Sequence, residues 1–158
     1  MKIVEIHSPN AVSADLNSKT KPEVIEELVN LLINSGSVEK KFKNKIIEIL
    51  MAREALGSTA IGQGIAIPHG KCDFVKKLVG CIGISKSGIS FDSLDGEPAY
   101  IFFLLVAPLD SAGPHLKALA RISRLLKDKF IRDGLKGVKD EKSILKIIQQ
   151  EDARLPKM

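Results

Sequence analysis

His69 lies in the run Gly62-Gln-Gly-Ile-Ala-Ile-Pro-His-Gly70, among apolar residues and glycines, with no acidic residue within three positions on either side. Metal-ligating histidines are usually braced by a carboxylate or carbonyl, and a general base commonly has an acid beside it. A histidine between Pro68 and Gly70 is better suited to lending a ring nitrogen to an incoming group. Arg53 precedes the glycine-rich stretch by a few residues, and Ser58 and Thr59 add hydroxyl donors just before it. His115 follows Gly113-Pro114, which puts it in the first turn of a helix, where backbone N–H groups lack partners and the dipole favours an anion. A nucleophilic imidazole, a guanidinium, a second imidazole and a helix N-terminus together form an inventory for a phosphoryl dianion.

Each piece has a reason to be there. Phosphoryl transfer runs through a loose, in-line transition state with charge on the equatorial oxygens, so positioning and cationic donors carry most of the catalysis. His69 must be neutral, with one ring nitrogen's proton held by an acceptor so that the other presents its lone pair. Arg53 can neutralise the oxygens during transfer, and His115 can hydrogen-bond them afterwards. A site for a water-labile phosphohistidine must be shallow enough to meet a partner and dry once the partner has docked.

The elements that must position these residues follow from periodicity. A first helix is expected from Thr20, with Glu23 completing a capping box, Pro22 in the first turn, an apolar face of Val24, Ile25, Leu28, Leu31 and Leu32, and Gly36 as the stop. A second runs from about Val38 to Ala55, closed by Gly57. Its inward stripe reads Phe42, Ile46, Ile49, Leu50 and then Arg53, with Glu54 as a solvated neighbour. An inward charge in a last turn requires an anionic partner or a cleft, and the helix C-terminus favours the positive sign. The four glycines between Gly57 and Gly70 read as turns and a short strand. Leu78 to Ser85 is a strand, Ser87-Gly88 begins a turn, and Asp95-Gly96 marks another before a buried strand over Tyr100–Val106, within the apolar run Ala99 to Pro108. A third helix spans about Gly113 to Asp128 with Leu116, Leu119, Ile122 and Leu126 inward. Asp140 caps a last helix through Gln150, with Ile144, Leu145, Ile147 and Ile148 as its apolar face. Helices, then strands, then helices describe an α/β domain, a sheet covered by helices.

Composition bounds the rest. A chain of 158 residues, 44% hydrophobic and 27% charged, is sized and composed for one globular domain. The start has no signal-peptide stretch, and no apolar run approaches the ~20 residues that span a bilayer, so a soluble cytoplasmic protein is expected. The net charge of +5 invites nucleic acid, but the lysines are dispersed and the chain has one Tyr and no Trp, leaving no stacking platform. Cys72 and Cys81 form neither a C-x-x-C pair nor a disulfide framework and are expected as reduced thiols. His69-Gly-Lys-Cys72 lacks a second ligand pair for zinc, and a Cys72–His115 hydrolase would rest on a lone cysteine on a charged turn. Gly62-x-Gly64 lacks the third glycine of a dinucleotide fingerprint, and Gly70-Lys71 lacks the rest of a P-loop. Neither metal nor cofactor is expected. His7 lies outside every motif and reads as structural.

The stretch Arg53-Glu-Ala-Leu-Gly-Ser-Thr-Ala-Ile-Gly-Gln-Gly-Ile-Ala-Ile-Pro-His-Gly70 resembles the active-site segment of the enzyme IIA component of phosphoenolpyruvate-dependent phosphotransferase systems, in the fructose/mannitol and nitrogen-regulatory branch. Gly113-Pro-His-Leu-Lys-Ala-Leu-Ala-Arg-Ile-Ser-Arg-Leu-Leu126 is similar to that family's second-histidine helix, and Gly88-Ile-Ser-Phe-Asp92 with Leu94-Asp-Gly-Glu-Pro98 also fits. The likeness covers about residues 18–150 of a single domain over 1–158. It implies a central mixed β-sheet flanked by helices. It also implies that His69 accepts phosphoryl from the carrier protein HPr or a nitrogen-branch equivalent, and that His115 and Arg53 line the pocket. In sugar systems the group then passes to an enzyme IIB. No IIB, IIC or HPr segment is recognised in this sequence, so a separate soluble subunit is expected. Ala118-Leu-Ala-Arg-Ile-Ser-Arg-Leu-Leu126 leans toward the nitrogen-regulatory type, in which the same phosphorylation switches contacts with regulatory partners.

Overall fold

The computed structural model describes residues 2–3 and 7–154, with only the backbone at 7–9; the side chain of His7 therefore lies outside the described residues. Chain order is β1 (His7–Ser13), α1 (Lys21–Asn34), a 3-10 turn at Lys40–Phe42, and α2 (Lys43–Ala55). Then come β2 (Ala60–Gly62), β3 (Ile65–Ala66), β4 (His69–Cys72), β5 (Val79–Ile89), β6 (Ala99–Pro108), α3 (Ala112–Leu126), α4 (Lys129–Lys136) and α5 (Glu141–Arg154). The strands form one mixed sheet in the order β1-β5-β6-β3-β2, with β4 also paired to β6. β6 is antiparallel to β5 and parallel to both β3 and β4. The expected mixed sheet flanked by helices is what forms.

The sheet is covered on both faces, which is why β6 is a continuous apolar run rather than an alternating one. Phe102, Leu104 and Val106 pack with Val24, Ile25, Leu28, Ile46 and Leu50 of α1 and α2. Ile101, Phe103 and Leu105 point the other way, into a second core with Ile122, Leu125, Ile131, Ile144 and Ile148 of α3, α4 and α5. Each layer carries an inward ion pair: Lys21 with Glu54 at 2.9 Å, and Arg121 with Asp152 at 3.6 Å. Asp152 also accepts the Ile3 N–H at 2.9 Å, tying the N-terminal segment to α5. No helix among the described residues is long and apolar enough to cross a membrane.

Local signals decide several boundaries. Thr20 caps α1 with the reciprocal Glu23 bond that its spacing predicts. Asp140 accepts the Ser143 N–H at 2.9 Å, capping α5. Four expectations are corrected. The second helix begins at Lys43, after the 3-10 turn, and buries Ile46, Leu50 and Glu54, so the inward charge is Glu54 while Arg53 is only half-buried. The third helix buries His115, Ala118, Arg121, Ile122, Leu125 and Leu126, whereas Leu116 is 65% exposed. That helix stops at Leu126, and Asp128 caps the unforeseen α4 instead. Finally, Ser87-Gly88 is no turn: β5 runs on to Ile89 through a register shift between Ile84 and Ile89.

Gly88 makes that irregularity possible. Its φ is +83°, and a Cβ there would sit 2.8 Å from the Tyr100 ring and 2.9 Å from Pro98. Left-handed strain and overpacking then add, so Gly88→Ala should lose about 2–4 kcal/mol. Urea unfolding of the variant measures this; a loss below about 0.5 kcal/mol, the usual size for surface changes, would show that the bulge can relax.

Candidate active site

The segment from Ile65 to Cys72 runs beside β6 as one strand broken in the middle. β3 pairs with Ile101 and Phe102, and β4 resumes with His69 opposite Leu105. The break falls at Ile67-Pro68, where proline has no N–H to offer the ladder. The Pro68 carbonyl still accepts from Leu105 N–H at 2.9 Å, so the chain stays against β6 through the break. The Ile67 carbonyl, in contrast, faces His69 and accepts from Nδ1 at 2.7 Å. A carbonyl oxygen can only accept, so Nδ1 carries the proton and Nε2 is left with its lone pair.

Strand alternation fixes which way His69 points. Gly70 abuts α2, where a Cβ would sit 2.9 Å from Ile49, and Cys72 packs in the α1/α2 core. His69 therefore faces the opposite layer, where α3 brings His115. The two rings lie 5.4 Å apart, tilted by 53°. Cys72 is on the wrong face to pair with His115, which disposes of the cysteine hydrolase reading.

His115 is the fourth residue of α3, its N–H bonded to Ser111 O at 3.0 Å. It is only 6% exposed, and its Nδ1 is buried without a hydrogen-bond partner. The Ser111 hydroxyl donates to Pro108 O at 2.9 Å and does not cap the helix, and the first turn holds no acidic residue. The uncapped N-terminus leaves this end of α3 favourable for an anion.

Arg53 lies in the last turn of α2, where Nη1 donates to Gly57 O at 2.7 Å. Ser58 donates to Phe91 O at 2.5 Å and accepts from Ala60 N–H at 3.0 Å. The Thr59 hydroxyl donates to a Glu54 carboxylate oxygen, and the Thr59 N–H reaches the other at 3.2 Å. Both hydroxyl hydrogens are thus committed within the fold. Glu54 is the residue that the sequence reading misplaced, and the signal for it was the i, i+4 step from Ile46 and Leu50.

The electrostatics favour the neutral form of both rings. Burial lowers the His69 pKa; the bond to Ile67 opposes this, the Arg53 charge adds to it, and the Glu54 charge opposes it. Burial, then the His69 ring, then Lys71 push His115 down to about 4. The arrangement can hold a neutral imidazole nucleophile beside a second neutral ring, with a cationic guanidinium felt at the first.

Residues 5–151 match the family described as phosphoenolpyruvate-dependent sugar phosphotransferase system, EIIA 2. The chain is 38% identical over 152 residues to the fructose-specific EIIABC component of Bacillus subtilis, covering 96% of this chain and 24% of that protein. It is 36% identical over 148 residues to the nitrogen regulatory protein of Bradyrhizobium diazoefficiens, covering 94% and 95%. It therefore spans about a quarter of the first relative and nearly all of the second. The crystal structure of nitrogen regulatory protein IIA-Ntr from Neisseria meningitidis superposes with a TM-score of 0.82 at 33% identity, over 91% of this chain and 97% of that one. With the family model spanning nearly its whole length, the chain belongs to the EIIA type 2 family of the phosphoenolpyruvate-dependent phosphotransferase system.

Proposed function

We propose that this chain is a phosphocarrier that accepts a phosphoryl group on His69 Nε2 from the phosphohistidine of an HPr-type protein and passes it to an enzyme IIB for sugar uptake. The observation that carries the reading is the Nδ1 bond to Ile67, which leaves Nε2 unprotonated beside the His115 ring. The Nε2 lone pair attacks phosphorus, the donor's P–N bond breaks, and the donor ring keeps the electron pair. Onward transfer breaks the new P–N bond in the same way, and the electron pair returns to Nε2. The proton stays on Nδ1, held by the Ile67 carbonyl throughout, so no separate base is required.

In this reading His115 hydrogen-bonds an oxygen of the bound phosphoryl group, and the first turn of α3 offers the favourable end of its dipole. Arg53 keeps N–H donors beyond the one given to Gly57 and neutralises the oxygens. Ser58 and Thr59, expected from the sequence as hydroxyl donors to phosphate, act through the shape of their loop, since their hydrogens go to Phe91 and Glu54. Leu56 and Leu116 are 86% and 65% exposed next to the Arg53 and His115 segments. They offer apolar contact that excludes water once a partner docks. A carrier of this kind works in the cytoplasm with its donor.

A second reading is favoured by the two nitrogen regulatory relatives, matched along nearly their whole length. Here the dianion on His69 changes the charge of the docking face and so selects regulatory partners. Labelled phosphate separates the two: prompt passage to a IIB cysteine supports the carrier, and retention with a change of partner supports the regulator.

His69→Ala should abolish labelling from phosphoenolpyruvate and the upstream proteins while leaving the fold intact; undiminished labelling would place the acceptor elsewhere. His115→Ala should still accept phosphate but pass it on about 10²-fold more slowly, the usual loss for one oxyanion donor, and an unchanged rate would remove His115 from the mechanism. The depressed His115 pKa also has a sign in stability. Below the ordinary value of 6.5 the unfolded chain takes up a proton that the fold refuses, so stability falls as pH drops toward 4, by roughly 3 kcal/mol at most. His115→Gln should flatten that part of the urea-unfolding profile between pH 7 and 4, and parallel profiles would contradict the assignment.

A further inference from the structure

Glu54 is 6% exposed in the last turn of α2, the end of a helix where a negative charge is unfavourable. A carboxylate kept in such a place needs strong partners. Lys21, the first residue of α1, supplies the charge: its Nζ lies 2.9 Å from Glu54 Oε1, 3.2 Å from Asp92 Oδ2 and 4.6 Å from the centre of the Phe91 ring. Glu54 in turn takes both donors of Thr59, the backbone N–H at 3.2 Å and the hydroxyl. Thr59 O accepts the Ile67 N–H at 3.1 Å, and Ile67 O accepts from His69 Nδ1 at 2.7 Å. The chain of bonds is unbroken from a buried ion pair to the reactive ring.

We infer that Glu54 is a positioning residue for phosphoryl transfer: clamped by Lys21, it fixes Thr59 and through it the Ile67 carbonyl that holds the proton on His69 Nδ1. The inference rests on the phosphocarrier reading for its effect on rate, though not for its effect on the ring. Glu54 never touches the transferred group. It governs which nitrogen of His69 is free, and a ring protonated on Nε2 has no lone pair to offer there. The relay also gives a reason for the threonine. Its hydroxyl and its N–H reach the same carboxylate, which restrains the residue whose carbonyl meets Ile67.

Two readouts test this. The ¹⁵N shifts of the His69 ring report the tautomer without any donor protein, and quench-flow with phosphorylated HPr reports the transfer rate. Glu54→Met keeps length and removes the acceptors. It should convert a pure Nδ1–H ring into a mixture of tautomers and slow transfer about tenfold or more, as a misplaced reacting group does. Thr59→Val should move both readouts in the same direction, and Thr59→Ser should restore them. If Glu54→Met does not fold, the two Thr59 variants decide the matter. A pure Nδ1–H ring in Glu54→Met or in Thr59→Val overturns the inference, whatever the rate does. Failure of Thr59→Ser to restore the ring assigns the effect to packing and overturns it as well. If the unmodified protein takes no phosphate from phosphorylated HPr, the carrier reading falls, while the tautomer comparison still decides the role of Glu54.

Discussion

The hydrogen bond from His69 Nδ1 to the Ile67 carbonyl exists because Pro68 interrupts a strand that β6 nevertheless holds on both sides of the break. A continuous strand would direct that carbonyl toward its neighbour's N–H. A loose loop would leave it free to turn to water. Here β3 and β4 are both registered on β6, so the two residues between them have little conformational choice, and the carbonyl meets the His69 ring. The chemistry attributed to the ring, one nitrogen protonated and the other open, is delivered by a backbone carbonyl, the last link of the relay that starts at Glu54.

The opposite wall of the site comes from a different layer. α3 rests on the face of β6 that carries Ile101, Phe103 and Leu105, and the residues that anchor it, Ala118, Ile122 and Leu125, put His115 on the buried side of its first turn. The buried Arg121–Asp152 pair lies along the same helix and joins it to α5. Breaking one partner of such a pair leaves a buried charge alone, so these contacts constrain how α3 sits more than they add to net stability. Across the sheet, the Lys21–Glu54 pair occupies the corresponding place between α1 and α2.

Much of this was legible in residue order where a signal is local. The Thr20/Glu23 capping box and the Asp140 cap need only neighbours in sequence, and the apolar run Ala99 to Pro108 coincides with β6. Helix phase was legible only to within a residue. A helix turns about 100° per position, so choosing Arg53 over Glu54, or Leu116 over His115, changes which side chain faces inward while leaving the helix itself correct. β1 depends on parallel pairing with β5, far away in sequence, and α4 is a short helix containing Gly134, so neither announces itself by periodicity. His69 and His115 stand out by type and by their Pro and Gly neighbours, but their 5.4 Å approach is a tertiary fact. The Ile67 carbonyl is invisible to any reading of side chains.

β6 belongs to both hydrophobic cores, with alternate residues committed to opposite helical layers. Neither layer can peel away without exposing one side of it, so the amides of this strand should exchange with solvent only when the whole molecule opens. The histidine opens β4, which is paired directly to this strand. Any visitor that reaches it meets a fixed template, and the adjustment of shape during an encounter falls to the visitor.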